Sequence, residues 1–134
     1  MTPQEAAALL ATAAAYDNRK PDADAAQAWA LVLDGLPWVD CRDAIVAHYR
    51  ASSEWLMPAA VRAAVQKVRD KRIAEVVLTP PRKLTDEQER AWLAEARRRV
   101  ADGETLEDVH QDRKKYPELA AKVAELMPRP EAAS

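Results

Sequence analysis

Residues 29–68 read WALVLDGLPWVDCRDAIVAHYRASSEWLMPAAVRAAVQKV, and this stretch decides the fold. It contains three of the four Trp residues of the chain. Two helix-length segments meet at the Gly35-Leu36-Pro37 step, and a third begins at Pro58, because proline suits the first turn of a helix. The chain has only two Gly and is rich in Ala, Leu, Glu and Arg, which favours helix throughout. We therefore predict an all-α protein.

The helices around this stretch follow from caps and apolar periodicity. The motif TPQE at residues 2–5 predicts a capped first helix that ends at about residue 15. A second helix over residues 23–34 would place Trp29, Val32 and Leu36 on one apolar face.

Two more helices complete the first half of the chain. The third, over residues 38–51, would direct Trp38, Ile45 and Tyr49 to one side. The fourth follows Pro58, and its spacing predicts a buried line formed by Val61, Ala64, Val65 and Val68.

Composition shifts divide the chain into segments. We predict a small four-helix bundle over residues 1–77 and a Pro-rich linker over residues 78–84, because two consecutive prolines disfavour helix. Capping motifs and apolar stripes predict a C-terminal segment of two or three helices over residues 85–127. A short disordered tail would follow over residues 128–134, after the last prolines.

Charge and hydropathy exclude several classes of protein. The net charge is −2 and no strong basic field is present, so tight nonspecific nucleic-acid binding is not expected. No apolar run is long enough for a membrane span, and the N-terminus lacks the basic start of a signal peptide. A single Cys fits a reducing cytoplasm.

The sequence carries no recognisable catalytic motif. Cys41 and His48 lie seven residues apart on the third helix, about 10 Å along its axis, which is too far for a base to activate a thiol. Two His and one Cys are also few for a metal site. We expect a protein that is not an enzyme and that needs no cofactor.

Trp55 and the basic runs are the remaining candidates for contacts with a partner. Trp55 follows a polar Ser-Ser-Glu break, where a partly exposed ring could contact another protein. The basic run at Arg113, Lys114 and Lys115 is interleaved with acidic residues, so it is either a solvated face or a contact for phosphates.

Residues 1–78 resemble a known family. An Ala/Leu-rich helix and an acidic turn precede Trp29 at the centre of the next helix, and a Leu-Pro step follows. A helix containing Ala44-Ile45-x-x-His48-Tyr49 and a helix that begins at Pro58 complete the pattern. Together they look like the helical N-terminal domain of phage replicative-helicase loader and inhibitor proteins.

The resemblance implies a non-enzymatic adaptor in the cytoplasm of a bacterial host cell. Such proteins bind the ring-shaped hexameric replicative helicase, load it or hold it inactive, and meet other replication-initiation proteins. The bundle would be a rigid handle, and an amphipathic helix of the C-terminal segment would grip the helicase. The residues expected at that contact are Trp92, Leu93, Ala96, Arg97, Arg99 and Val100, with Trp55 as a further candidate.

Two alternatives stay open. Residues 105–126 faintly resemble a helix-turn-helix, which would make the chain a small DNA-binding regulator whose salt-sensitive contacts are Arg113 to Lys115. Because the second helix of that segment has few base-reading side chains, direct DNA binding is expected to be weak or absent. The chain could also be a phage inhibitor of another host protein.

Overall fold

The structure is a computed structural model that describes residues 1–111. Over that range it is mostly helical, with six helices and no strand, which confirms the predicted all-α class. The helices are α1 (Pro3–Asp17), α2 (Ala23–Val32), α3 (Trp38–Ala51), α4 (Pro58–Ala74), α5 (Asp86–Ala101) and α6 (Leu106–Gln111). The last part of the predicted C-terminal segment, residues 112–127, and the predicted tail lie outside the described residues.

The chain divides into two compact units, Met1–Asp70 and Lys71–Ser134. The division falls within α4, ahead of the segment 78–84 that the sequence predicts as a linker. In the structure, Leu78 and Leu84 pack against the apolar core of the second unit. The two ends of the predicted linker are therefore held by contacts with that unit.

The helix starts follow the capping motifs. The Thr2 hydroxyl accepts from the Glu5 N–H at 3.1 Å, and the Glu5 carboxylate accepts from the Thr2 N–H at 3.2 Å. Asp22 caps α2 by accepting from the Ala25 N–H at 2.7 Å. These bonds satisfy backbone donors that have no partner within the helix, so each cap fixes where its helix begins.

The core of the first unit is built from small and branched apolar side chains of all four of its helices. Ala-rich α1 allows close packing, and Leu9 and Ala13 are fully buried there. Of the predicted face of the second helix, Trp29 and Leu36 are buried, but Val32 is exposed and Leu33, the residue after α2, is buried in its place. The side chains that line the core with Trp29 recur at intervals of three or four: Ala26, Trp29, Leu33 and Leu36.

The predicted buried line of α4 holds only for its first half. Val61 and Val65 are fully buried, as the spacing predicts, but Ala64 and Val68 are exposed. Val65 is the last residue of α4 in the apolar core of the first unit. By Val68 the helix has passed the side chains that would cover it, which periodicity alone does not reveal.

The second unit has its own smaller core. Thr85 and Gln88 form a capping box that starts α5, with bonds of 3.0 and 3.2 Å. At the other end of α5, Arg72 donates from Nη1 to the Ala101 carbonyl at 2.8 Å, where a cation complements the helix dipole. The buried apolar residues of this core are Trp92, Ala96, Val100 and Val109.

We expect Leu9→Ala to destabilise the first unit by about 2–5 kcal/mol, because Leu9 is fully buried and its loss leaves a cavity. Leu31→Ala is the matched control, because this side chain on α2 is 80% exposed. Urea unfolding followed by Trp fluorescence would measure both. Equal effects of the two substitutions would contradict the assignment of the core.

Candidate protein-interaction surface

A tight turn after α1 brings two opposite charges together. Asn18 ends the helix in the left-handed conformation, with φ of 59°, and its N–H donates to the Ala14 carbonyl at 3.0 Å. Asn tolerates this conformation better than most residues. The turn directs Arg19 back toward Asp17, the last residue of the helix, and the Arg19 Nε lies 2.9 Å from both carboxylate oxygens.

This ion pair is buried and joined to distant parts of the unit. The side chains of Arg19 and Asp17 are only 7% and 5% exposed. Arg19 Nη2 donates to the Leu56 carbonyl at 2.7 Å. The Tyr49 hydroxyl donates to the Asp17 carboxylate and accepts from the Leu56 N–H, the latter at 3.2 Å. These four residues therefore form one hydrogen-bonded cluster, the Arg19 cluster, that ties the end of α1 to α3 and to the loop before α4.

The cluster shifts the ionisation of its members. The hydrogen bonds from Arg19, supported by the bond from Tyr49, lower the pKa of Asp17 from 3.8 to about 2 although burial acts in the opposite direction. The hydrogen bond to Asp17 raises the pKa of Arg19. Burial, followed by the contact with the Asp17 carboxylate, raises the pKa of Tyr49. The pair is therefore charged and the phenol neutral at physiological pH.

Two indole rings enclose the guanidinium. Arg19 Cζ lies 5.3 Å from the ring centroid of Trp29, which is buried, and 4.5 Å from that of Trp55. Cation–π contacts of this kind contribute roughly 0.5–2 kcal/mol each, more where water is excluded. Trp55 is thus in contact with a buried charge although more than half of its surface is exposed.

Three large apolar side chains beside the cluster are exposed. Trp55 is 58% exposed and Met57 is 56% exposed, whereas Leu56 between them is buried. Tyr16 is 53% exposed and stacks on Tyr49 at a centroid separation of 5.1 Å. We call Tyr16, Trp55 and Met57 the aromatic surface. Exposed Trp, Tyr and Met are typical of protein interfaces, so this surface is the best candidate site in the first unit.

The predicted contact residues on α5 lie in a different environment. Trp92, Ala96 and Val100 are buried in the core of the second unit, and Leu93 packs against that core. Trp92 also stacks on His110 at 6.2 Å. The apolar face of α5 is therefore covered by residues of its own unit, and in this structure it is not open to a partner's groove.

The structure describes two of the charged candidates, Arg97 and Arg99. Arg97 is exposed on α5, whereas Arg99 pairs with Glu104 at 2.8 Å. Arg113, Lys114 and Lys115 lie outside the described residues, as does most of the predicted helix-turn-helix. Their contact with phosphate stays a prediction.

Cys41 and His48 lie in separate environments. Cys41 is fully buried in the core, and burial raises the pKa of its thiol from 9.0 to about 11. The His48 Nε2 lies 2.7 Å from the Glu54 carbonyl oxygen, and its ring meets Tyr49 edge-on. The geometry therefore favours two packing residues over a nucleophile and its base.

Sequence reasoning missed Asp17, Arg19, Tyr16 and Met57. The local signal was the Asp-Asn-Arg turn after α1, in which opposite charges two residues apart flank an Asn that favours the left-handed conformation. Nothing local indicated that Tyr49 and Leu56 would meet this turn.

Residues 1–111 lack two features. No group of three or more His, Cys, Asp or Glu side chains there could hold a metal ion. Nor does any helix in this range combine the length and apolarity that crossing a bilayer requires. Comparisons with protein-family models, curated proteins and solved structures found no match to this chain.

We expect the Arg19 cluster to make the first unit sensitive to acid. Because the pKa of Asp17 is lowered on folding, its stabilisation is present at pH 5 and above and is lost as pH falls toward 2, by on the order of 2 kcal/mol. Urea unfolding of the wild type and of Asp17→Asn across this range would measure it. The difference in free energy of unfolding between the wild type and Asp17→Asn should become smaller on acidification. A difference that does not change with pH would contradict the charged pair. Tyr49→Phe, which removes one bond to the carboxylate, should show a smaller pH effect than the wild type.

Cys41 should be inert in the folded protein. At pH 8 we expect alkylation by iodoacetamide to be at least about 100-fold slower than in urea, because the thiol is buried and its raised pKa leaves little thiolate. Mass spectrometry over time would measure both rates. Rapid labelling of the native chain would restore Cys41 as a candidate nucleophile.

Proposed function

We propose that this chain is a protein-binding adaptor that loads or inhibits the replicative helicase of a phage-infected bacterial cell. In this proposal the aromatic surface of the first unit makes the contact, and the protein acts in the cytoplasm by position and not by chemistry. The observation that carries it is Trp55, a large ring that is more than half exposed although its inner face is fixed by Arg19.

The placement of Trp55 supports a binding role. Interfaces concentrate their energy in a few Trp, Tyr and Arg anchors, and a ring held in place loses little rotamer freedom on binding. Trp55 is held by the guanidinium of Arg19, which is itself bonded to Asp17 and to the Leu56 carbonyl. A partner would therefore meet a ring that is already oriented.

The choice of a helicase rests on the family resemblance. Two of the residues that carry the resemblance belong to the contacts around Arg19: Trp29 packs on the guanidinium, and Tyr49 donates a hydrogen bond to Asp17. The family pattern therefore includes residues that hold Arg19, on which Trp55 packs. We place the contact with the helicase on the first unit and not on α5, because Trp92 and Val100 of α5 fill the core of the second unit.

Light scattering coupled to size-exclusion chromatography of the full chain with the host replicative helicase at physiological salt tests the function. We expect co-elution as a defined complex. Absence of a complex would overturn the helicase assignment, and salt-sensitive binding to duplex DNA in its place would favour the helix-turn-helix alternative.

The aromatic surface is tested with two substitutions of exposed apolar side chains. Trp55→Ala should weaken helicase binding by about 30-fold or more, the loss typical of a central anchor. Leu31→Ala removes an exposed side chain outside this surface and should bind as the wild type does. Far-UV circular dichroism would verify that both variants fold. Wild-type affinity of Trp55→Ala would remove the aromatic surface from the proposal.

A further inference from the structure

We infer that the aromatic surface binds a proline-rich, extended segment of its partner, neutral or acidic in charge. The inference deepens the proposed function and rests on it for the location of the site, but it does not depend on which protein supplies the segment. It follows from the chemistry that Tyr16, Trp55 and Met57 offer to a ligand.

The charge behind Trp55 disfavours a cation in front of it. The Arg19 guanidinium lies 4.5 Å from the ring centroid and already interacts with the π electrons of the ring. This contact weakens the attraction of the opposite face of the ring for a second cation. An uncharged C–H surface has no such disadvantage. The outer face of Trp55 therefore suits an aliphatic or proline side chain better than Lys or Arg.

Trp55 and Tyr16 each carry a group that can donate a hydrogen bond to a ligand. Trp55 carries an indole N–H, which can only donate, and Tyr16 carries a hydroxyl, both on side chains that are more than half exposed. A proline-rich segment presents flat C–H faces together with backbone carbonyl acceptors, and its prolines bring no N–H donors. Aromatic rings that pack on proline while donating to the backbone are the established mode for recognising polyproline II helices.

The two exposed rings belong to one connected set of contacts. Tyr16 stacks on Tyr49 at 5.1 Å, the Tyr49 hydroxyl lies 3.5 Å from Arg19 Nη2, and the Arg19 guanidinium lies 4.5 Å from Trp55. The two exposed rings are thus linked by three short contacts. One or two turns of polyproline II helix, at roughly 9 Å each, would span them.

The charges near the rings in the chain do not oppose such a segment. Asp17 is already paired with Arg19, so neither contributes a free charge. The exposed charged residues nearest in the chain to Tyr16 and Trp55 are Lys20 and Glu54, and their charges cancel. Exposed charges of this kind contribute little affinity and mainly affect the rate of association.

Binding of synthetic peptides to the full chain tests the inference. One probe is an oligoproline of about ten residues with a Glu at each end, and the control replaces each Pro by Ala, which favours α-helix. Isothermal titration calorimetry should give at least about tenfold tighter binding for the proline peptide. No binding of it at about 1 mM, or equal or tighter binding of the Ala peptide, would overturn the inference.

Nuclear magnetic resonance locates the site without relying on a variant. The four Trp residues give four indole N–H signals. Addition of the proline peptide should shift the signal of Trp55 and leave those of the buried Trp29 and Trp92 in place. The affinity of Trp55→Ala for the peptide should fall at least about tenfold while Leu31→Ala binds normally. Shifts confined to other Trp signals, or unchanged binding by Trp55→Ala, would overturn the inference.

The outcomes separate this inference from the proposed function. The protein could form a helicase complex that requires Trp55 and yet fail to bind the proline peptide. That result would support the adaptor function and contradict the proline-rich ligand. Peptide binding at Trp55 without a helicase complex would support the proline-rich ligand and contradict the helicase assignment.

Discussion

The buried guanidinium of Arg19 is the constraint on which the rest of the first unit depends. Removing a charge from water costs several kcal/mol unless its hydrogen bonds are replaced. Here the Asp17 carboxylate, the Leu56 carbonyl and the Tyr49 hydroxyl replace them, and two indole rings cover the remaining faces. The three hydrogen-bond partners come from three different segments of the chain. The electrostatic requirement of one side chain therefore fixes how the end of α1, the end of α3 and the loop before α4 are arranged.

That arrangement also decides what the loop before α4 exposes. Leu56 uses its N–H and its carbonyl in the Arg19 cluster and buries its side chain in the core. The side chains on either side of Leu56, those of Trp55 and Met57, are more than half exposed. The exposed apolar residues are thus a consequence of satisfying a buried charge, and the loop has little freedom to turn them inward.

The sequence could predict what depends on near neighbours. The capping boxes at Thr2 and Thr85 each lie within four residues, and both helix starts were predicted. The apolar face of the second helix was predicted correctly at Trp29 and Leu36. It was wrong at Val32, because Val32 and Leu33 are both strongly apolar and only packing selects between them.

Arg19 was missed for another reason. Its partners Tyr49 and Leu56 are 30 and 37 residues away, and no local pattern indicates such contacts. On α5 the stripe itself was read correctly, but an apolar stripe that fills a core and one that binds a partner have the same spacing.

A buried ion pair is weak evidence for stability, and this favours a role in presenting Trp55. Apolar residues of similar volume often replace such a pair with no loss of stability. Here that replacement would leave the Leu56 carbonyl without its donor and take the guanidinium from the inner face of Trp55. Trp29 and Leu56 belong to the apolar core and also contact Arg19. The other buried side chains of the core, such as Leu9, would remain after the replacement, so the unit could still fold. It would lose a ring that is oriented before a partner arrives, and ordering an interfacial side chain on binding costs roughly 0.5–1.5 kcal/mol. The pair therefore contributes to the geometry of an exposed surface as well as to the free energy of unfolding.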